Sequence, residues 1–281
     1  MCGMEGGMNC KTVMVNLAIG SINKPRIAVA KQLAERFDAR LIGVAASEIT
    51  PPLYFADGDA GQRMIEASMT AIEVAFSTLE AEFDAEVDSD RSEWRCSRQI
   101  PTLYVAQEAR AADVIVTGQS QDIMMSNAFA SADASDLLMG AGRPLLIVPD
   151  SVSWIDFRHC VVAWKEAVES RRAIADAIPL LRLVNDVSVV EIIEGGVSSR
   201  AAQRHVEDVV AWLECHGVSA APLVVEKKGD VGEQLERIAA DAGAGLVVAG
   251  AYGNSRLRQW VFGGVTRHFL QESERCALLS R

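Results

Sequence analysis

Short apolar runs recur along the chain, and most are followed by a longer stretch in which apolar positions return every three or four residues. The first run is Thr12-Val-Met-Val-Asn-Leu-Ala-Ile19; Gly20-Ser21 ends it, and helical periodicity follows from about Pro25 to Phe37. Leu41-Ile-Gly-Val-Ala-Ala46 reads as the next strand, which makes a β-α-β opening. A loop rich in Pro, Gly and Asp, Thr50 to Gly61, precedes a long helical pattern from about Gln62 to Phe83, and a short strand lies around Glu93 to Arg95. A helix over Leu103 to Ala111 and strands at Asp113-Val-Ile-Val-Thr117 and Pro144-Leu-Leu-Ile-Val-Pro149 complete a half. Five strands alternating with helices predict a parallel sheet covered on both faces.

The second half repeats the order. Strands are expected at His159–Trp164, Val187–Ile193, Ala221–Val225 and Leu246–Ala249, with helices near Ser170–Leu183, Ser199–His216 and Val231–Ala242 and a short final strand at Cys276–Ser280. Setting Gly118 on Gly250 gives an offset of 250 − 118 = 132, whereas setting Val15 on Val162 gives 162 − 15 = 147. Half one therefore carries about 15 extra residues, 147 − 132, which are expected in the Glu48 to Met64 region as a long loop able to cover a ligand or a partner. The reading is two domains, residues 11–150 and 157–281, with a boundary near Pro149 to Asp156.

Composition narrows the class. The 281 residues are 49% hydrophobic, enough for two cores, and 27 basic against 38 acidic side chains give a net charge of −11. That balance argues against a surface for nucleic acid or anionic lipid. Six cysteines without a CxxC pair suit reduced thiols and a cytoplasmic location. The start of the chain has no basic n-region, and no apolar run approaches the roughly 20 residues of a membrane span. The four histidines show no HExxH spacing, and neither a GxSxG elbow nor a triad can be assembled, so no metal site and no catalytic residue are assigned.

The most specific segment follows the apolar run Gly245-Leu-Val-Val-Ala249. It places Gly250, Gly253, Gly263 and Gly264 at fixed offsets, with Val265 and Thr266 next and Arg256 and Arg258 between the glycine clusters. Glycines behind a strand let a ligand approach the backbone, and free N–H groups at the start of the next helix hold an anion. Half one keeps Gly118, but the equivalents of the later glycines are Gln121, Ser131 and Ala132, followed by Asp133, which removes the cradle. Asp230, after Gly229, is expected to cap the helix from Val231. Trp94, Trp164, Tyr252, Trp260 and Phe262 read as core or interface residues rather than base-stacking groups.

On the spacing glycine, two residues, glycine, nine residues, glycine, glycine, the chain resembles the universal stress protein (UspA-like) family, as two domains in tandem. The resemblance implies two flavodoxin/Rossmann-like α/β domains, each a five-stranded parallel sheet in the order 3-2-1-4-5, packed as a pseudo-dimer. In such a sheet ligands bind where the strand order reverses, between the first and fourth strands, so Ala163, Trp164 and Lys165 would face Gly250, Gly253, Arg256, Gly263, Gly264, Val265 and Thr266. The family's ATP-binding members usually end the first strand with Asp-Gly-Ser, whereas this chain has Lys165-Glu166-Ala167; a lysine cannot accept a hydrogen bond from an adenine amine or ribose hydroxyl, though it can pair with phosphate. The resemblance implies a regulatory or protective stress-response protein binding a nucleotide, most simply ATP with Mg²⁺, in half two, with at most slow hydrolysis and with a homodimer, to which Cys276–Ser280 could add a shared strand, as a further expectation. Two alternatives stay open: a scaffold for protein partners without a nucleotide, and a binder of a small hydrophobic or acidic metabolite near Tyr54 and Phe55.

Overall fold

The computed structural model describes residues 10–49, 58–87, 90–120, 129–194, 198–251 and 264–281. Half one contains β1 (Thr12–Leu17), α1 (Lys24–Phe37), β2 (Arg40–Ala46), α2 (Gly58–Glu86), β3 (Ser92–Ser97), α3 (Pro101–Glu108), β4 (Val114–Gly118), α4 (Ala134–Gly140) and β5 (Leu145–Val148). Half two contains β6 (His159–Trp164), α5 (Val168–Leu181), β7 (Asp186–Ile193), α6 (Ser199–Cys215), β8 (Ala220–Glu226), α7 (Val231–Asp241), β9 (Leu246–Gly250), α8 (Gly264–Gln271) and β10 (Cys276–Ser280).

The strand order is β3-β2-β1-β4-β5-β10-β9-β6-β7-β8. Each half is parallel within itself and reads 3-2-1-4-5, as expected. The halves join edge to edge through the antiparallel pair β5–β10, with Leu146 opposite Leu278, giving one ten-stranded sheet. This corrects the expectation that Cys276–Ser280 is shared with a second chain: β9 takes one edge of β10 and β5 takes the other.

One face of the sheet is covered by α1, α2, α5 and α6 and the other by α3, α4, α7 and α8, each face with its own apolar cluster. Central strands are buried on both sides, so β4, β5 and β10 are apolar or small throughout. Each fully buried Val, Leu or Ile there stabilises the fold by about 1.5–3 kcal/mol. The two outer strands differ in kind. β3 carries Glu93 and Arg95, and β8 carries Pro222, which lacks the N–H a central ladder requires. Between the halves, the buried Gln32 amide donates to the Ile155 carbonyl at 2.8 Å and accepts from the Ile155 N–H at 2.8 Å, pinning the connecting segment to α1.

The extra length of half one is placed differently from the expectation. α2 spans 29 residues and its counterpart α6 spans 17, so 29 − 17 = 12 more residues are helical. Residues 58–64, read from sequence as part of a covering loop, belong to α2. Residues 50–57, with Tyr54 and Phe55, lie outside the described residues.

Candidate functional site

The antiparallel join sets the geometry of both switch points. β1 and β4 are neighbours, as are β6 and β9, and the carboxyl ends of the two pairs point in opposite directions along the strands. In half two the chain leaves β6 toward α5 on one face and β9 toward α8 on the other, which opens a crevice between them.

Two expected site residues end β6 and a third follows it. Ala163 is half-buried and lies opposite Ala249 in the ladder. Trp164 is 8% exposed, sits in the core beneath α5 and α6, and has an indole N–H without a hydrogen-bond partner among the described residues. Lys165 is exposed, and its ammonium donates to Glu194 at 3.3 Å; Lys227 donates to the other oxygen of the same carboxylate at 2.5 Å. The ends of β6, β7 and β8 thus carry a lysine–glutamate–lysine row. Lys227 beside Glu194, with help from Lys165, holds that carboxyl below its ordinary range against partial burial. Sequence reading did not pair Lys165 with Glu194, because Glu194 lies 29 residues away and is brought near by the β6–β7 register.

Across the crevice, Gly250 and Gly264 prove to be different kinds of glycine. A Cβ on Gly250 would fall 2.6 Å from the Glu169 carbonyl carbon and from the Ser170 nitrogen, so this glycine lets the first turn of α5 rest on the end of β9. Gly264 is exposed and opens α8; among the described residues a Cβ there would meet the Asp230 carboxylate, with Oδ2 at 2.9 Å. Val265 is half-buried and Thr266 buried in the same first turn. Gly253, Arg256 and Gly263, with Tyr252, Arg258, Trp260 and Phe262, lie outside the described residues.

Asp230 is the residue whose full role sequence reading missed. It caps α7 as expected, Oδ1 accepting from the N–H groups of Gly232 at 2.8 Å and Glu233 at 3.2 Å. Its second oxygen reaches the start of α8 beside Gly264. Behind it, α7 and α8 are tied by Glu236, which lies 3.4 Å from the His268 ring and accepts from Arg275, from the Ser273 hydroxyl at 3.1 Å and from the Glu274 N–H at 3.2 Å. Burial pushes Glu236 up, but His268, Arg275 and these donors outweigh it and hold the carboxyl low. Glu236 in turn raises His268 against the opposing effect of its burial.

The equivalent crevice in half one holds the protein's own side chains. The buried Arg26 guanidinium lies where a Cβ on Gly118 would be, donates to the Asn16 carbonyl at 3.4 Å and lies 3.9 Å from Asp150. Desolvation lowers its pKa. Asn23 folds back on Ala18, accepting from its N–H at 3.0 Å and donating to its carbonyl at 3.1 Å, and Asn16 donates to Thr117 at 3.1 Å. Asp133 accepts from the Asp136 N–H at 2.9 Å and so caps α4, a helix that the sequence reading did not identify. No group of three or more metal-ligating side chains occurs among the described residues, and none of their helices is long and apolar enough to cross a membrane.

No protein-family model and no curated protein matches the chain. Among solved structures, a universal stress protein from Archaeoglobus fulgidus DSM 4304 aligns with a TM-score of 0.69 at 11% identity, covering 96% of this chain and 98% of that one. A functionally unknown protein from Pseudomonas aeruginosa PAO1 aligns with a TM-score of 0.62 at 16% identity, covering 96% and 92%. Over essentially its whole length, therefore, the chain has the fold of a solved universal stress protein, with two α/β halves in tandem.

Proposed function

We propose that the chain is a tandem universal stress protein, acting in the cytoplasm as a regulatory or protective stress-response factor, that binds a nucleotide in half two and pairs with a second copy of itself. The observation that supports the nucleotide reading is the start of α8: Gly264 stands exposed at the switch point, and among the described residues the Asp230 carboxylate is what lies nearest to it. In half one the corresponding helix is capped by its own Asp133, and Arg26 lies against Gly118, the counterpart of Gly250. ATP is the nucleotide proposed. Because Asp230 would repel a bare polyphosphate, the ligand is assigned as the Mg²⁺ complex, the cation offsetting the carboxylate. The amides of Gly264, Val265 and Thr266 would take a phosphate, with Gly253, Arg256 and Gly263 of the preceding loop; Ala163, Trp164 and Lys165 border the other wall. No catalytic step is assigned.

Protein denatured directly after purification should release a nucleotide resolvable by anion exchange, and the apo form should bind ATP with Mg²⁺ in calorimetry. Gly264→Val should weaken that binding by at least about tenfold while leaving the fold intact, since its Cβ points at Asp230 and at the anion's approach. No released nucleotide and no heat up to millimolar ATP would overturn the reading. The scaffold alternative is favoured by one observation, the commitment of Lys165 to Glu194, and it predicts that null result.

A further inference from the structure

The outward face of α2 has no role in the crevice and is not accounted for by the fold. Its inward face packs on α1 and β2 through Phe76, Leu79 and Phe83, all buried. On the opposite side Met64, Ala67, Ala71, Val74, Thr78 and Ala81 are all exposed, with Val74 at 62% and Met64 at 55%. Their spacing, alternately three and four residues, is that of the seam of a coiled coil. Thr78 donates its hydroxyl to the Val74 carbonyl of its own helix at 2.8 Å, so it brings no unsatisfied polar group to the seam. At 29 residues the helix is about 43 Å long, and a seam of small residues lets two helix axes approach closely.

Charge selects the occupant and its direction. Paired antiparallel with a copy of itself, the seam is self-complementary: Ala71 meets Val74 of the second copy, Ala67 meets Thr78 and Met64 meets Ala81. The flanking positions then set Arg63 of each copy opposite Asp84 of the other, twice by symmetry, while Thr70 meets Ser77 and Ser68 meets Ala75. Arg63 and Asp84 are exposed and have no ion pair or hydrogen bond among the described residues. No like charges oppose each other in this register, and the acidic row Glu66, Glu73 and Glu80 lies outside it, with Arg98 3.6 Å from Glu73. A parallel pairing would set Arg63 beside Ser68 and leave Asp84 without a basic partner.

We infer that this face of α2 is the surface through which two copies of the chain associate, as an antiparallel helix pair centred between Ala71 and Val74. The inference rests on the self-pairing part of the proposed function and is independent of the nucleotide. Sedimentation equilibrium of the full chain across a concentration series tests it, with circular dichroism to confirm that each variant folds. The wild type should dimerise; Arg63→Asp and Asp84→Arg should each weaken dimerisation roughly tenfold, and the double variant should recover it, because the two charges have exchanged places. Val74→Glu, at an exposed position beside the two-fold axis, should leave the monomer folded and abolish the dimer. A wild type that stays monomeric overturns self-pairing together with this surface. A dimer that tolerates Val74→Glu and both single charge reversals overturns the surface alone.

Discussion

Gly250→Ala is the sharpest test of what the glycines are for, because the sequence assigns Gly250 and Gly264 the same task and the structure separates them. At Gly250 the added methyl would sit 2.6 Å from two backbone atoms of α5, the Glu169 carbonyl carbon and the Ser170 nitrogen. Relaxed contacts lie at about 3.5–4.0 Å, so α5 or β9 has to shift by about 1 Å, and backbone gives way less readily than a side-chain tip. Overpacking of that kind costs about 1–3 kcal/mol. The stiffer unfolded chain of an alanine variant returns about 0.4–1 kcal/mol. The net loss of about 1–2 kcal/mol corresponds to a Tm lower by roughly 3–8 °C. Gly264→Ala is the control: among the described residues its methyl meets the movable Asp230 carboxylate at an exposed position, and stability should stay within about 0.5 kcal/mol of the wild type. Thermal unfolding followed by circular dichroism on both variants decides it. A Gly250→Ala protein as stable as the wild type would refute the claim that this glycine serves the packing of α5 on β9.

Four further outcomes follow from the same geometry. Gly118→Ala should destabilise the wild type by about 1–2 kcal/mol because its methyl overlaps Arg26, and by clearly less in an Arg26→Ala background; equal costs in a double-mutant cycle of denaturant titrations would refute the contact. His268 has a raised folded pKa, so its contribution is full below the unfolded value near 6.5 and is lost as pH rises through the folded value. Glu236 is depressed and contributes above its unfolded value near 4.5, losing that contribution as pH falls through its folded value. Stability from the pair should therefore peak between about pH 4.5 and 6.5 and decline on the alkaline side, a slope that His268→Gln removes in pH-dependent urea melts. Cys276, buried with its thiol pushed up to about 12, and the fully buried Cys160 should resist iodoacetamide in the native protein while the exposed Cys215 reacts, as read by peptide mass spectrometry. Lys165→Gln should change stability by less than about 1 kcal/mol, since its ion pair is solvent-exposed; a larger drop in Tm would mean the lysine–glutamate–lysine row is structural.

Much of this fold was legible from periodicity alone. β6 and β10 coincide with their expected apolar runs, and the parallel sheet within each half follows from alternating strands and helices, whereas the strand order 3-2-1-4-5 was implied by the family resemblance. Three features were not. The first turns of α2 read as loop because Gly58, Asp59 and Gly61 are turn residues, yet they continue a helix whose later turns are anchored by Phe76, Leu79 and Phe83. α4 is only seven residues long, too short for an apolar period to declare itself. The β5–β10 join escaped because two short apolar strands give no sign of each other as partners. The site divides in the same way. The cap at Asp230 was readable from its place before a helix, but its approach to Gly264 depends on α7 and α8 lying side by side, which local sequence does not record.

The edge-to-edge join has a consequence for how the two crevices relate. Because β5 and β10 are antiparallel, the end of half two where its strands begin is level with the end of half one where its strands finish. α8 runs between those levels: its first residue borders the crevice of half two, and its last turn arrives beside the chain leaving β4. There the Leu270 carbonyl accepts from the Ser120 N–H at 2.8 Å, and the Ser273 carbonyl accepts from the Gln119 side chain at 2.7 Å. Glu236 holds the same helix from the side through His268, and holds the segment after it through Ser273 and Arg275. Gln119 and Ser120, which follow Gly118 in half one, therefore have a structural task. Gln119 stands at a place that half two fills with Ala251, and its long amide is what reaches the end of α8. The clasp on the helix of half two thus starts directly after Gly118, ahead of the positions Gln121, Ser131 and Ala132 at which half one departs from the glycine spacing of half two.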